Sequence, residues 1–213
     1  MCLLAKKQIV YDYMIGKIAK WQSQSGADED LILSKLTSTA LMKYQFIINV
    51  LSVSTDSRNS LFDLYGNYQA FPHGPVEIDT YYNRNILVRY DMGYDRDNDR
   101  SFLRTCKEFR TEQKLLFDLK ENETALESEE VMQRLIRENR LEKFVEMVDK
   151  SISLLKEASV FLDYRDVDKL IDITHNDLWR EASFSMDKQL NLSNHNLLLR
   201  EKESICRAIG LAA

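Results

Sequence analysis

Residues 62–82 of the chain read FDLYGNYQAFPHGPVEIDTYY. The stretch holds both prolines of the protein, Pro72 and Pro75, and two of its six glycines, Gly66 and Gly74. Elsewhere the chain is long, charged and rich in helix formers, so this is its main irregular, specified piece of backbone. A residue that precedes proline is pushed out of the α region, which predicts extended conformations at Phe71 and Gly74. Tyr68, Gln69, Ala70 and Phe71 then read as a short strand. Pro75 can open a helix, because its missing N–H is one the first turn leaves unpaired anyway. With Gly74 as the cap, Glu77 falls at the third helical position, where the positive end of the dipole favours a carboxylate. The spacing predicts a helix over residues 75–83 with Ile78, Tyr81 and Tyr82 as its apolar face.

Downstream of this stretch, Ile86, Val88 and Tyr90 alternate with Leu87, Arg89 and Asp91, which suits a strand that could pair with residues 68–71. Residues 93–100, GYDRDNDR, read as a charged turn or loop. Upstream, residues 55–60 read as a polar loop that follows a helix capped by Ser38 or Thr39 and running to about residue 54. That helix carries Leu41, Met42, Phe46, Ile47, Ile48, Val50 and Leu51, and a helix apolar on most sides is usually central and buried. Lys43 interrupts it, either as a stem that packs while its amine reaches water, or as a charge held at a pocket or partner surface.

The flanks are helical too. Over residues 3–23, Leu3, Val10, Met14, Ile18 and Trp21 share one face, with Lys17 snorkelling or at the rim. A polar connection follows over residues 22–30. A helix is expected over residues 111–120, broken by Glu121–Thr124 as ENET, and another from a Ser128 cap to about residue 139 with Val131, Leu135 and Ile136 inward. Residues 141–157 give the cleanest amphipathic pattern, with Leu141, Phe144, Val145, Val148, Ile152 and Leu155 in one stripe. Asp163 or Asp166 caps a helix through Val167, Leu170 and Ile171. His175 and Trp179 share a face if that helix continues past Asn176 and Asp177. Residues 185–194 read as a polar connection to a last helix, capped by Ser193 or Asn194 and ended by Gly210, with Leu198, Ile205, Ala208 and Ile209 inward. The expectation is a mainly α fold, a single compact multi-helix domain over residues 1–213 with a minor short β-hairpin.

A chain of 213 residues can bury roughly 70% of its unfolded surface, so it needs no staples. Three dispersed cysteines, Cys2, Cys106 and Cys206, point to a reducing compartment without a disulfide framework. The first residues lack the order of a signal peptide, and no apolar run approaches the ~20 residues of a membrane span. A cytoplasmic protein is expected. The net charge of −5 gives no broad attraction to nucleic acid. Asp95, Asp97 and Asp99 have the spacing of calcium-loop ligands, but Arg100 stands where glycine is needed and Cys106 where glutamate is needed. The three histidines, His73, His175 and His195, show no zinc spacing. There is no nucleophile elbow and no phosphate loop. No metal, no cofactor and no enzymatic activity is expected.

Three segments resemble the Panacea antitoxin family, also described as SocA-like or phage-associated. Gln69-Ala70-Phe71-Pro72-His73-Gly74-Pro75-Val76, followed by Tyr81, is similar to its xAxxxGPVxxxxY motif. Leu41-Met42-Lys43 with Phe46 is similar to its early LxKLLYF helix. Leu170-Ile171-Asp172-Ile173-Thr174-His175 with Trp179 is similar to its LxxLSH segment followed by tryptophan. Thr174 stands where serine is commoner, and Tyr44-Gln45 where two leucines are usual. The likeness covers about residues 30–185. It implies a protein that neutralises a cognate toxin by direct contact, with delivery of the toxin to a protease in members of the SocA type.

The residues the resemblance singles out for partner binding are Lys43, Phe71, His73, Gly74, Pro75, Val76, Tyr81, His175 and Trp179. His73 also reads as a structural histidine bonding a nearby carbonyl, and Trp179 as core. If His175 and Trp179 fold back against His73 and Tyr81, they make a small polar and aromatic cluster. Tyr65, Tyr68 and Tyr82 are further aromatic candidates for a partner surface. Two other readings stand beside the antitoxin: a small hydrolase using His73 or His175, and a nucleic-acid-binding regulator using Arg84, Arg89, Arg96, Arg100, Arg104 and Arg110. The sequence leaves the oligomeric state open.

Overall fold

The computed structural model describes residues 1–55 and 59–211. Residues 56–58 of the expected polar loop lie outside them. Two helices form the centre, α1 (Leu3–Gln22) and α3 (Ser38–Leu51). Nearly every side chain of α3 from Ala40 onward is buried, as its composition predicts. Its cap is Thr37, whose hydroxyl accepts from Ala40 N at 3.1 Å, one residue before the expected pair. The inward stripe of α1 is as expected apart from Leu3, which is exposed, and Lys17 sits at the rim 2.7 Å from Asp149. A short helix, α2 (Glu29–Lys35), starts inside the polar connection expected over residues 22–30 and runs beyond it; Asp28 caps it.

The stretch around the prolines corrects the sequence reading. Residues Tyr68–Phe71 form strand β1 as expected, but Gly74–Glu77 form a second strand, β2, and not the start of a helix. The two pair as an antiparallel hairpin with Phe71 opposite Gly74 and Ala70 opposite Pro75. Only Pro72 and His73 lie in the turn. The closing pair of a two-residue hairpin exchanges hydrogen bonds and the next pair does not. Pro75 therefore stands at a position whose N–H would face away from β1, so its imino nitrogen costs the ladder nothing. The outward side of Ala70 is used as well, since its N–H donates to Lys188 O at 2.7 Å. Leu190 N donates to Tyr68 O at 3.0 Å, so the segment after residue 187 edges the hairpin.

The helix begins three residues later than the spacing predicts, as α4 (Ile78–Tyr82), with Glu77 as its cap. Glu77 Oε2 accepts from Thr80 N at 2.7 Å. The carboxylate thus serves the helix N-terminus, from the cap rather than from the third position. Thr80 is the buried residue of α4; Ile78 and Tyr81 are half-buried and Tyr82 is exposed. The expected partnership of residues 86–91 with β1 does not form. Instead β3 (Tyr90–Asp95) pairs with β4 (Arg100–Thr105), with the charged turn between them, and this hairpin packs on α2. Leu87 and Val88 are both buried, against the expected alternation, because Val88 N and Arg89 N donate to the buried Asp12 carboxylate of α1 at 2.9 and 2.8 Å.

The later helices are α5 (Thr111–Phe117), α6 (Ser128–Glu138), α7 (Glu142–Glu157), α8 (Val167–Thr174), α9 (Asp177–Ser183) and α10 (His195–Ala208). Ser128 is the first residue of α6, not its cap, because a 3-10 turn over Ala125–Glu127 feeds directly into it. α5 stops at Phe117, three residues early, where Asp118 takes a left-handed φ of +52°. The stripe of α7 packs on α1 and α3, with Val148, Ile152 and Leu155 buried. Asp166 caps α8 and Asn194 caps α10. Ala208, expected inward, is exposed. The result is a mainly α, compact domain with two small two-stranded sheets. No helix of the described residues is long and apolar enough to cross a membrane.

Candidate functional site

The three segments singled out by sequence meet around the hairpin turn. β2 packs against both α3 and α8, and Lys43 of α3 and His175 at the end of α8 approach Gly74 of β2. Gly74 takes φ +102°, which side chains rarely adopt. A Cβ placed there would stand 2.8 Å from Lys43 Nζ, 3.0 Å from Thr174 Oγ1 and 3.2 Å from His175 Cδ2. Gly74 is thus fixed twice, by backbone conformation and by the close approach of three side chains. Gly74→Ala is expected to cost about 3 kcal/mol, from backbone strain and overpacking together. Urea unfolding of the variant measures this; a loss under about 0.5 kcal/mol, the size of an ordinary surface change, would remove the glycine from the site's construction.

Of the two readings of Lys43, the one in which its amine reaches water does not hold. The residue is 1% exposed, and Nζ donates to Pro75 O at 3.3 Å. No carboxylate is paired with it among the described residues. Burial pushes its pKa down to about 7. The reason is tertiary, since β2 and the end of α8 close over the side chain that α3 alone would leave open.

His175 ends α8, and Asn176 breaks the helix there by capping α9, its Oδ1 accepting from Trp179 N at 3.1 Å. The interruption nevertheless brings His175 and Trp179 together. Their rings stack, with centroids 3.9 Å apart and 10° between the planes. Burial, and then the charge of Lys43, lower the pKa of His175. Trp179 Nε1 donates to Phe71 O at 2.9 Å, which ties α9 to the end of β1. Phe71 packs against Tyr81, with centroids 6.0 Å apart, and Tyr81 against Tyr82 at 5.5 Å. The guanidinium of Arg84 lies over the Tyr81 ring at 4.3 Å.

The structure therefore places a row of rings, His175, Trp179, Phe71, Tyr81 and Tyr82, along the hairpin. Four of them are half-buried and Tyr82 is exposed. His73 is exposed at the turn and forms no hydrogen bond among the described residues, which corrects the reading of a histidine tied to a carbonyl. Pro75 and Val76 are buried against the body of the protein. Tyr65 and Tyr68, expected as possible partner contacts, are wholly buried; their hydroxyls bond Lys7 O and Asn49 Nδ2. Thr174 was not singled out by sequence, although it lies inside the third matching segment. Its hydroxyl bonds back to Leu170 O at 2.9 Å while the side chain walls Lys43 and Gly74.

Comparison of the chain with protein-family models, with curated proteins and with solved structures finds no match.

Proposed function

We propose that the protein is antitoxin-like and neutralises a cognate toxin by direct protein–protein binding in the cytoplasm, with delivery of that toxin to a protease as a second mode of action. The observation that carries this reading is the meeting of the three matching segments at one partly exposed face. Residues 136 positions apart in the chain, from Lys43 to Trp179, contribute to a single row of rings and its buried floor. Aromatic side chains that are half-seated in a rigid surface carry a disproportionate share of binding energy, because they bring large contact area with little rotamer entropy left to lose. Tyr82 is the exposed member of the row, and His73 is exposed at the hairpin turn.

The charge pattern supports a protein partner over nucleic acid. Three of the six arginines in the basic series are already matched: Arg89 with Asp12 and Glu129, Arg100 with Asp95, and Arg110 with Asp91. Charges neutralised in place contribute little to phosphate binding.

The test is co-expression with the product of the neighbouring gene. That product should be toxic alone, be relieved by this protein, and co-purify with it. Tyr82→Ala, at a residue 68% exposed, should leave the fold intact and weaken the complex about tenfold or more. A neighbour harmless in every host, or a complex indifferent to both Tyr82→Ala and His73→Ala, would overturn the proposal or its choice of surface, respectively.

A further inference from the structure

Two nitrogens under the hairpin have no place for an added proton. Lys43 Nζ is buried, and its one hydrogen-bond acceptor among the described residues is Pro75 O. An ammonium carries three donors, so charging this amine leaves two of them bare. His175 Nε2 is buried and unpaired, so a proton there also finds no acceptor in the closed arrangement. Both residues approach Gly74: a Cβ at that position would lie 2.8 Å from Lys43 Nζ and 3.2 Å from His175 Cδ2. Charging either one therefore opposes charging the other.

The surrounding charges do not offset this. Burial drives the pKa of Lys43 down to about 7. α3 has no other charged side chain. Glu77 of β2 is committed to Lys7 and Thr80 N. Asp149 of α7 pairs with Lys17, and Asp12 of α1 with Arg89. From α10, Glu201 accepts from Leu178 N, and Lys202 donates to Val53 O. Burial, then Lys43, lowers the pKa of His175; Asp172 of α8 acts the other way, and the further titratable or charged groups on its side are the exposed His73 and Arg180.

The hairpin has one pinned end and one loose end. Lys7 holds Glu77, at the exit of β2, at 2.6 Å. At the other end Pro72 and His73 form an exposed turn, and the bond from Trp179 Nε1 to Phe71 O ties that end to α9. We propose that the turn end is an acid-released latch: proton uptake by Lys43 and His175 parts it from the end of α8, lets water reach both nitrogens and breaks the Trp179–Phe71 bond. Its role as a regulator of the partner face rests on the antitoxin reading, whereas the opening itself is a property of the free protein and is measured there.

The sign is definite. Once open, Lys43 regains its ordinary affinity for the proton, so opening is greatest below pH 7 and is suppressed as pH rises from 7 to 10.5. His175 adds a second increase in opening as pH falls below 6.5.

Hydrogen exchange of the Trp179 indole N–H in the free protein, corrected for the intrinsic pH dependence of exchange, reads the opening. Its protection should rise about tenfold between pH 7 and about pH 8.5. In Lys43→Met that rise should vanish. In His175→Phe, which keeps a ring to stack on Trp179, the loss of protection below pH 6.5 should vanish instead. The amides of Val148 and Ile152, buried in α7, serve as reporters of global unfolding. They should be the better protected, and only they should lose protection in dilute urea, because a local opening exposes little surface. The wild-type profile and His175→Phe test the latch without the methionine variant. The proposal is overturned if Trp179 protection is flat from pH 7 to about pH 8.5, or if the rise survives in Lys43→Met. It is overturned equally if the Trp179 N–H and α7 share one protection and one urea slope, since global unfolding is then the only opening.

Discussion

Lys43→Met is expected to stabilise the protein by about 2–4 kcal/mol at pH 7, raising Tm by about 5–15 °C for a chain of this length. The cause is the unpaired, 1% exposed amine of α3. Burial depresses its pKa from 10.5 to about 7, so the folded chain releases a proton far more readily than the unfolded chain. Methionine fills nearly the same volume, keeps the packed stem and removes the group that must be stripped of water or proton. What it gives up is the 3.3 Å bond to Pro75 O, which leaves a carbonyl under-satisfied and offsets part of the gain. The pH dependence follows with a definite sign. Below about pH 7 both states hold the proton, and the penalty on the folded state is complete. Between pH 7 and 10.5 the unfolded state binds more protons, so wild-type stability rises with pH relative to the variant. Paired urea titrations from pH 6 to about pH 10 should show a gap that is flat at first and then closes. A variant less stable than wild type at pH 7, or a gap independent of pH, would mean that the amine is solvated in the folded protein.

Lys43 also shows why the site was only partly legible in the sequence. Long periodic segments declared themselves: α3 and α7 follow from their apolar content and spacing, since a stripe of that length has one helical solution. The strand Tyr68–Phe71 follows from the residues before proline. Gly74-Pro75 was ambiguous, because a proline after glycine opens a helix or sits at a non-bonded strand position with equal local sense. Contacts distant in sequence decide it: Lys188 O on Ala70 N, and Lys43 Nζ on Pro75 O. α2 has only seven residues, too few for a periodic signal. His175 and Trp179 were singled out together, yet their stacking comes from a helix break that Asn176 caps, not from a continuous helix. The fate of the Lys43 amine was illegible in principle, because the lid over it comes from two other parts of the chain. Tyr65 and Tyr68 read equally well as surface or core, and the polar partners that let them be core, Lys7 O and Asn49, lie 58 and 19 residues away.

Lys7→Met should act in the opposite direction, with a loss of about 3–5 kcal/mol. Lys7 of α1 is 3% exposed and donates to Glu77 Oε1 at 2.6 Å and to Asp79 Oδ2 at 2.5 Å. Glu77 is wholly buried, so removing the ammonium leaves a carboxylate inside the protein with its Thr80 bond but no counter-charge. The contrast with Lys43 is physical: both amines are buried, but only one meets carboxylates there. Burial by itself would lower the pKa of Lys7, yet the bonds to Asp79 and Glu77 outweigh it and hold it above 10.5. Asp79 is correspondingly held below 3.8 by Lys7 and Asn67, against its partial burial. The Lys7 contribution is therefore fully present below pH 10.5, and that of Asp79 above pH 3.8. The gap between wild type and variant should accordingly not close as pH rises from 7 to 10.5, unlike the closing gap at Lys43. The pair joins residues 70 positions apart and holds the exit of β2 and the start of α4 onto α1. Hydrogen exchange at Ile78 and Thr80, whose amides bond Asn67 O and Glu77 Oε2, should accelerate more than exchange in α7. Adding Glu77→Gln to Lys7→Met should recover part of the loss, because the stranded charge is gone. A double variant as unstable as the sum of the two single ones would show that the carboxylate is neutralised by something other than Lys7.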